Sequence, residues 1–345
     1  MKNFDEYKSE FIKEAQKVGM AEETMEAQLF YALNLFDKGL PIIYDVKHLA
    51  AVLGYKETLL YKISNSPRLF YRKFKVPKKR GGSRVISEPL PTLKEIQNWI
   101  LKEILNNVKV HPCAKAFKKK SSIVSNAKFH RNQKVLLSID IESFFPSVNI
   151  AKVYYLFKKL GYYKSVAFML AKLCCLEDKL PQGSPTSPSI SNLIFYQLDN
   201  RIFNYCNRKH IRYTRYADDL SFSGDFDVDE LHSFLMYILE ENGFRINRKK
   251  TKIMRQHDRQ TVTGLVVNNV LQTEKTYRKE IRKAIYYIKK FGVNNHLERI
   301  GAELNSSQYI NSLYGKVAFI LSVDKTNREF LLYKELLGDL SKGIR

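Results

Sequence analysis

Two adjacent carboxylates sit in the run Tyr216-Ala217-Asp218-Asp219, between the strand-like segments Ile211 to Arg215 and Leu220 to Phe222. Side by side on a turn they repel each other, and a cation relieves that repulsion. The bland alternative is a solvated Asp-Asp turn. A third acid, Asp140, ends the otherwise apolar strand Val135-Leu136-Leu137-Ser138-Ile139-Asp140. A carboxylate at the edge of an apolar strand needs a partner. If this strand lies beside the 211–223 hairpin, three carboxylates converge. A hard, oxygen-rich set selects Mg²⁺. Two such ions about 4 Å apart can activate an attacking hydroxyl and stabilise a departing phosphate.

The elements that must position these acids follow from hydrophobic pattern and turn chemistry. Residues 3–38 read as amphipathic helix, with Phe4, Tyr7, Phe11, Ala15 and Val18 at helical spacing. Residues 45–65 read as a helix ending at Gly54 and then another. A β-hairpin with a cationic tip, Lys78-Lys79-Arg80-Gly81-Gly82-Ser83-Arg84, occupies 70–90, and helix returns over 92–108. After the Val135 to Ile141 strand come helices from Ile150 to Leu160 and from Ser187 to Cys206. The hairpin turning at Ala217-Asp218 follows, and then a helix from Val228 to Asn242 closed by Gly243. Strands near 252–254 and 261–267 complete an antiparallel sheet with helices on one face, an α+β layer. From Glu274 the chain is helical, with Tyr277, Ile281, Ile285 and Ile288 on one face and Tyr309, Leu313, Val317 and Ile320 on a later one.

Composition points to a polyanionic partner. Lys and Arg number 58 against 35 Asp and Glu, a net of +23. Folding does not need that excess, whereas neutralised phosphates release counterions, so nucleic acid is favoured over an anionic membrane or mere solubility. No apolar run approaches the roughly 18 residues of a membrane span. The N-terminus lacks a signal-peptide profile, so a cytoplasmic protein is expected. Cys113, Cys174, Cys175 and Cys206 form no Cys-x-x-Cys pair, so they read as small buried hydrophobes, not zinc ligands.

Three segments resemble the A, B and C motifs of reverse transcriptases, in the same order. They are Leu137-Ser138-Ile139-Asp140-Ile141-Glu142-Ser143-Phe144-Phe145-Pro146-Ser147, Leu180-Pro181-Gln182-Gly183-Ser184-Pro185-Thr186-Ser187-Pro188 and Tyr216-Ala217-Asp218-Asp219. Asn126-Ala127-Lys128-Phe129-His130 and Val262-Thr263-Gly264 resemble the accessory motifs of the retron subgroup of bacterial reverse transcriptases. The resemblance spans about residues 60–325.

That resemblance implies a right-hand polymerase: an N-terminal helical region over 1–60, fingers with part of the palm over 61–134, palm over 135–270 and an RNA-binding thumb over 271–345. It makes Asp140 and Asp218 ligands of two Mg²⁺ ions, with Asp219 a third acid bound to one ion or to none in some states, and the Ile141 carbonyl an extra ligand. It places Phe145 under the sugar of the incoming deoxynucleotide, with neighbouring Phe144 in the core. Gln182 and Gly183 meet the nucleotide or template. Lys78 and Arg84 hold the triphosphate, with Lys79 and Arg80 as rivals for the Lys78 role. Lys250 can protonate the departing pyrophosphate.

Asn126 and His130 organise RNA or the junction of palm and fingers, and Tyr216 belongs to the nucleic-acid surface. Val262, Thr263 and Gly264 lie near the primer or branch point. Arg278, Lys279, Arg282 and Lys283 meet phosphate, and Tyr286 and Tyr287 either stack on unpaired bases or pack in the core. The implied partners are a cognate structured noncoding RNA, its RNA–DNA product, deoxynucleoside triphosphates and a separate effector protein in anti-phage defence. A group II intron-type or other defence reverse transcriptase, and an RNA-binding scaffold that controls a toxic effector, stay open as alternatives.

Overall fold

The computed structural model describes residues 3–78, 81–301 and 304–343. The chain packs as two compact units, one of residues 1–117, 141–202 and 236–245, the other of residues 118–140, 203–235 and 246–345.

The first unit opens with helices Phe4–Lys17 and Glu22–Phe36 in place of one helix over 3–38. The break falls at Gly19, whose φ of +66° is left-handed and open to glycine without strain. Helices Val46–Leu53 and Glu57–Asn65 flank Gly54, the left-handed cap expected there. Strands β1 (Tyr71–Pro77) and β2 (Ser83–Pro89) pair antiparallel as the anticipated hairpin. Lys79 and Arg80, the rival triphosphate ligands, lie outside the described residues. The stretch expected as helix over 92–108 begins as Pro91–Trp99, then widens to a π-turn at Ile100–Ile104 and tightens at Leu105–Asn107.

Helix Lys164–Cys174, which sequence pattern did not single out, is buried on almost every side. A helix apolar all round has no amphipathic stripe to betray it. All four cysteines are buried, as expected. Burial pushes the Cys174 thiol up to about 12, so it is inert at neutral pH.

The second unit holds a four-stranded antiparallel sheet in the order β4-β5-β3-β6, with β3 Val135–Asp140, β4 Arg212–Tyr216, β5 Asp219–Gly224 and β6 Lys252–Arg255. β5 is buried from Leu220 to Gly224, as a central strand covered on both faces must be. The segment 261–267 does not join this sheet. It folds as β7 (Thr261–Val262) and β8 (Leu265–Val266), which with β9 (Gln272–Thr273) make a separate three-stranded sheet. Thr263 and Gly264 have φ of +47° and +81°, the paired positive values of a tight hairpin turn, and that turn breaks the expected strand.

Helices Lys275–Phe291, Val293–Ile300, Ser306–Val323 and Arg328–Gly343 close the chain. Ile281, Ile285, Ile288, Leu313, Val317 and Ile320 form their common core, which bears out both helical stripes. The helix expected over 187–206 is two, Ser187–Ile194 and Tyr196–Arg208. No helix among the described residues is long and apolar enough to cross a membrane.

Candidate active site

Antiparallel register brings the acids together. β3 and β5 pair so that Asp140 stands directly opposite Asp219, and β4 and β5 pair so that Tyr216 does too. Asp218 occupies the two-residue turn between β4 and β5, where Ala217 takes a left-handed φ of +59°. Arg215 secures that turn from beneath: its Nη1 donates to the Ala217 carbonyl at 3.1 Å, and its side chain is fully buried. Sequence reasoning missed Arg215. A guanidinium inside an otherwise strand-like run beside two acids was the available signal.

The electrostatics are those of crowded carboxylates. Burial, then Asp218, then Asp140 push the Asp219 carboxyl up to about 6, against the opposing pull of Lys250 and Lys252. Lys250 Nζ donates to both Oδ1 and Oδ2 of Asp140, each at 2.9 Å. Backbone bonds deliver that lysine, for Asn247 N donates to the Asp140 carbonyl at 2.8 Å and Lys250 N turns back to the Asn247 carbonyl at 3.0 Å. Among the described residues, no group of three or more His, Cys, Asp or Glu side chains is arranged to hold an ion together. The donor set nonetheless fits a hard divalent cation, since such an ion would relieve the repulsion that raises Asp219.

His130 pins the same sheet. Its Nδ1 lies 2.7 Å from Ser223 Oγ on β5 and its Nε2 lies 2.7 Å from Thr214 Oγ1 on β4. Both His130 and Asn126 are fully buried, and neither amide atom of Asn126 has a hydrogen-bond partner. Val262 is a core residue, and Thr263 Oγ1 donates to the Ile123 carbonyl at 3.4 Å. Gly264 has open space where a Cβ would stand, so its turn conformation, not crowding within the protein, calls for glycine.

In the first unit, Gln182 and Gly183 lie against β2. Ser87 N donates to the Gln182 carbonyl at 2.8 Å. A Cβ on Gly183 would stand 2.7 Å from the Ser87 carbonyl oxygen, and its φ of +126° also demands glycine. The close approach is therefore to a neighbouring strand of the protein itself. Buried Gln97, also missed, ties this motif down: it accepts from Ser184 Oγ at 2.8 Å and donates to Tyr71 Oη and the Leu173 carbonyl.

Phe144 packs in the core on Phe195 and Phe244, as anticipated, whereas Phe145 is half-buried with its ring 5.5 Å from that of Phe144. Ile141 buries its side chain directly after Asp140. Lys78 and Arg84 are exposed at the mouth of the hairpin, where Lys78 N donates to the Gly82 carbonyl.

The family described as Reverse transcriptase (RNA-dependent DNA polymerase) matches residues 76–275. The Retron Ec86 reverse transcriptase of Escherichia coli is 34% identical over 315 residues, covering 89% of this chain and 93% of that one. The chain is a member of the retron reverse transcriptases. The Retron Mx65 reverse transcriptase of Myxococcus xanthus is 34% identical, covering 72% of this chain and 64% of its own, and the Retron Mx162 enzyme of the same organism is 32% identical, at 76% and 59%. This retron reverse transcriptase is thus an RNA-directed DNA polymerase with the α+β fold of its family.

The C-terminal helices of the retron enzyme distribute their charge unevenly. Arg282 is engaged bidentately with Glu329, both bonds at 2.6 Å, and Arg278 Nη1 donates to Gln272 Oε1 at 2.6 Å. Lys279 and Lys283 are exposed. Tyr286 is 57% exposed with Lys290 over its ring, while Tyr287 stacks on Phe291 and His296.

Proposed function

We propose that this enzyme copies its own structured noncoding RNA, beginning from the 2′-hydroxyl of a branching guanosine in that RNA, and leaves multicopy single-stranded DNA joined to RNA. One observation carries the chemistry: Asp140 and Asp219 face each other across β3 and β5, with Asp218 in the adjoining turn. The net charge of +23 supports the polyanionic template and product.

In this reading Asp140, Asp218 and Asp219, with the Ile141 carbonyl, hold two Mg²⁺ ions. Those ions, when bound, lower the barrier to hydroxyl attack and stabilise the leaving pyrophosphate. Lys78 and Arg84 orient the triphosphate, Arg as a fork and Lys as a point charge. Phe145 excludes a 2′-hydroxyl on the incoming sugar. Gln182 and Gly183 shape the nucleotide side, and Lys250 supplies a proton to pyrophosphate.

Tyr216, Thr263, Gly264, Lys279 and Lys283 meet nucleic acid, with Arg278 and Arg282 contributing where RNA outcompetes their internal partners. Val262, Asn126 and His130 act from within the protein by holding the surfaces that do. The N-terminal helices occupy 1–60, fingers 61–134, palm 135–270 and thumb 271–345. The enzyme works in the bacterial cytoplasm, in anti-phage defence with a separate effector.

Purifying the protein from its host locus and sequencing the RNA and DNA that accompany it tests this reading. One RNA encoded beside the gene, covalently joined to DNA copied from it, is expected. Unrelated cellular RNA with no joined DNA would sink the proposal. Full protection from phage by an Asp218→Asn variant would instead favour a scaffold that restrains the effector.

A further inference from the structure

Lys250 already holds the place that a cation at Asp140 would need. Its Nζ sits 2.9 Å from each oxygen of a carboxylate whose side chain is only 10% exposed. An ammonium seated evenly between both oxygens takes the lone pairs that a divalent ion would use. The seat is built into the backbone, because the turn Asn247 to Thr251 is anchored to the Asp140 carbonyl and presents Lys250 to the acid on the same residue. The lysine side chain is itself 55% exposed on a flexible stem, so it can leave.

We infer that Lys250 is a surrogate cation, closing Asp140 to divalent ions in the nucleotide-free enzyme and giving way when the site is loaded. This rests on the reading of Asp140 as a metal ligand. It accounts for the even seating of the ammonium on both oxygens of an acid that strand register sets opposite Asp219. Lys252 provides the internal comparison: it stands on β6 opposite Ser138, and its charge alone acts on Asp219.

The test is a Mn²⁺ titration, followed by paramagnetic resonance, of the full-length protein stripped of nucleic acid and nucleotide. Lys250→Gln is expected to bind Mn²⁺ roughly tenfold more tightly than the unaltered protein, because a unit charge in contact with the ligand is gone. Lys250→Met, which keeps an apolar stem, should show the same gain, and it serves if the Gln variant does not fold. Lys250→Arg, which keeps a cation on Asp140, should bind no more tightly than the unaltered protein. Lys252→Gln should gain less than about threefold, since its charge acts only at a distance.

Equal gains from Lys250→Gln and Lys252→Gln, with binding lost in Asp140→Asn, would overturn the surrogate and leave the metal site standing. Mn²⁺ binding that survives Asp140→Asn would remove the metal site itself and the inference with it.

Discussion

Asp140 and Asp219 are cross-strand partners at the open end of β3 and β5, so the backbone ladder itself, and not a flexible loop, sets their separation. Sites carried on strands hold their geometry better than sites on loops. Asp218, one residue back on the turn, completes the set, and its loss can be separated from loss of fold. Asp218→Asn is expected to melt within a few degrees of the unaltered protein. DNA synthesis on an RNA template should fall several-hundred-fold or more, each ~1.4 kcal/mol of lost transition-state stabilisation being a tenfold loss. Primer extension at normal rates in that variant would refute the assignment.

The raised Asp219 carboxyl gives a pH signature. Its ordinary value is 3.8 and its folded value is about 6. Between the two, the folded protein keeps a proton that the unfolded chain has lost, so metal-free stability declines as pH climbs through that window and stays lower above it. Mg²⁺ counters the repulsion only where Asp219 is ionised. In the Lys250→Gln variant, whose Asp140 is open to ions, melting curves in chelator and in Mg²⁺ should differ little at pH 5 and by several degrees at pH 7.5. An equal Mg²⁺ effect at both pH values would exclude Asp219 as a ligand.

Gly183→Ala should strain both backbone and packing. The φ of +126° is hostile to any Cβ, and the added methyl would meet the Ser87 carbonyl at 2.7 Å. A loss of about 1–3 kcal/mol in urea unfolding is expected, together with a higher KM for deoxynucleotides as β2 is displaced. A variant with both values unchanged would show that the motif does not depend on this contact.

His130→Ala should act through stability. Removing the ring strands the buried hydroxyls of Thr214 and Ser223, at about 1–3 kcal/mol each. RNA affinity measured well below the melting temperature should stay within about twofold, because a fully buried ring has no surface to offer a ligand. A tenfold loss of RNA affinity without loss of stability would make His130 a contact residue after all.

Arg282 and Lys283 are neighbours in sequence with different surroundings, the first paired with Glu329 and the second exposed. Lys283→Ala is expected to weaken RNA binding and to lower the slope of log affinity against log salt by roughly one, as for one phosphate contact. Arg282→Ala breaks the half-exposed pair with Glu329 and should cost under about 1 kcal/mol of stability, with a smaller change in salt slope. Identical slopes for the two variants would erase the distinction.

The candidate site was legible in the sequence because it resides in residue types at short range. The acid pair at a turn, the third acid at the end of an apolar strand, the paired strands of the 70–90 hairpin and the helical stripes at 277–288 and 309–320 are all local patterns, and the structure honours each. Two of the local patterns failed at residues with positive φ. Gly19 divides the first helix, and Thr263 with Gly264 folds one expected strand into a separate hairpin.

Long-range pairing was beyond the sequence, since which residue stands opposite which depends on register, and register is decided by the burial of whole strand faces. Only the tertiary structure set Asp219 against Asp140, brought Lys250 from 110 positions away onto that acid, and enclosed His130 between two strands it does not adjoin in the chain. The same packing placed Arg215 beneath the acidic turn and Gly183 against β2. The candidate reactive residues were readable one by one, whereas supporting residues such as Arg215 and Gln97 were not. A supporting side chain is defined by its neighbours, and those are chosen by the fold.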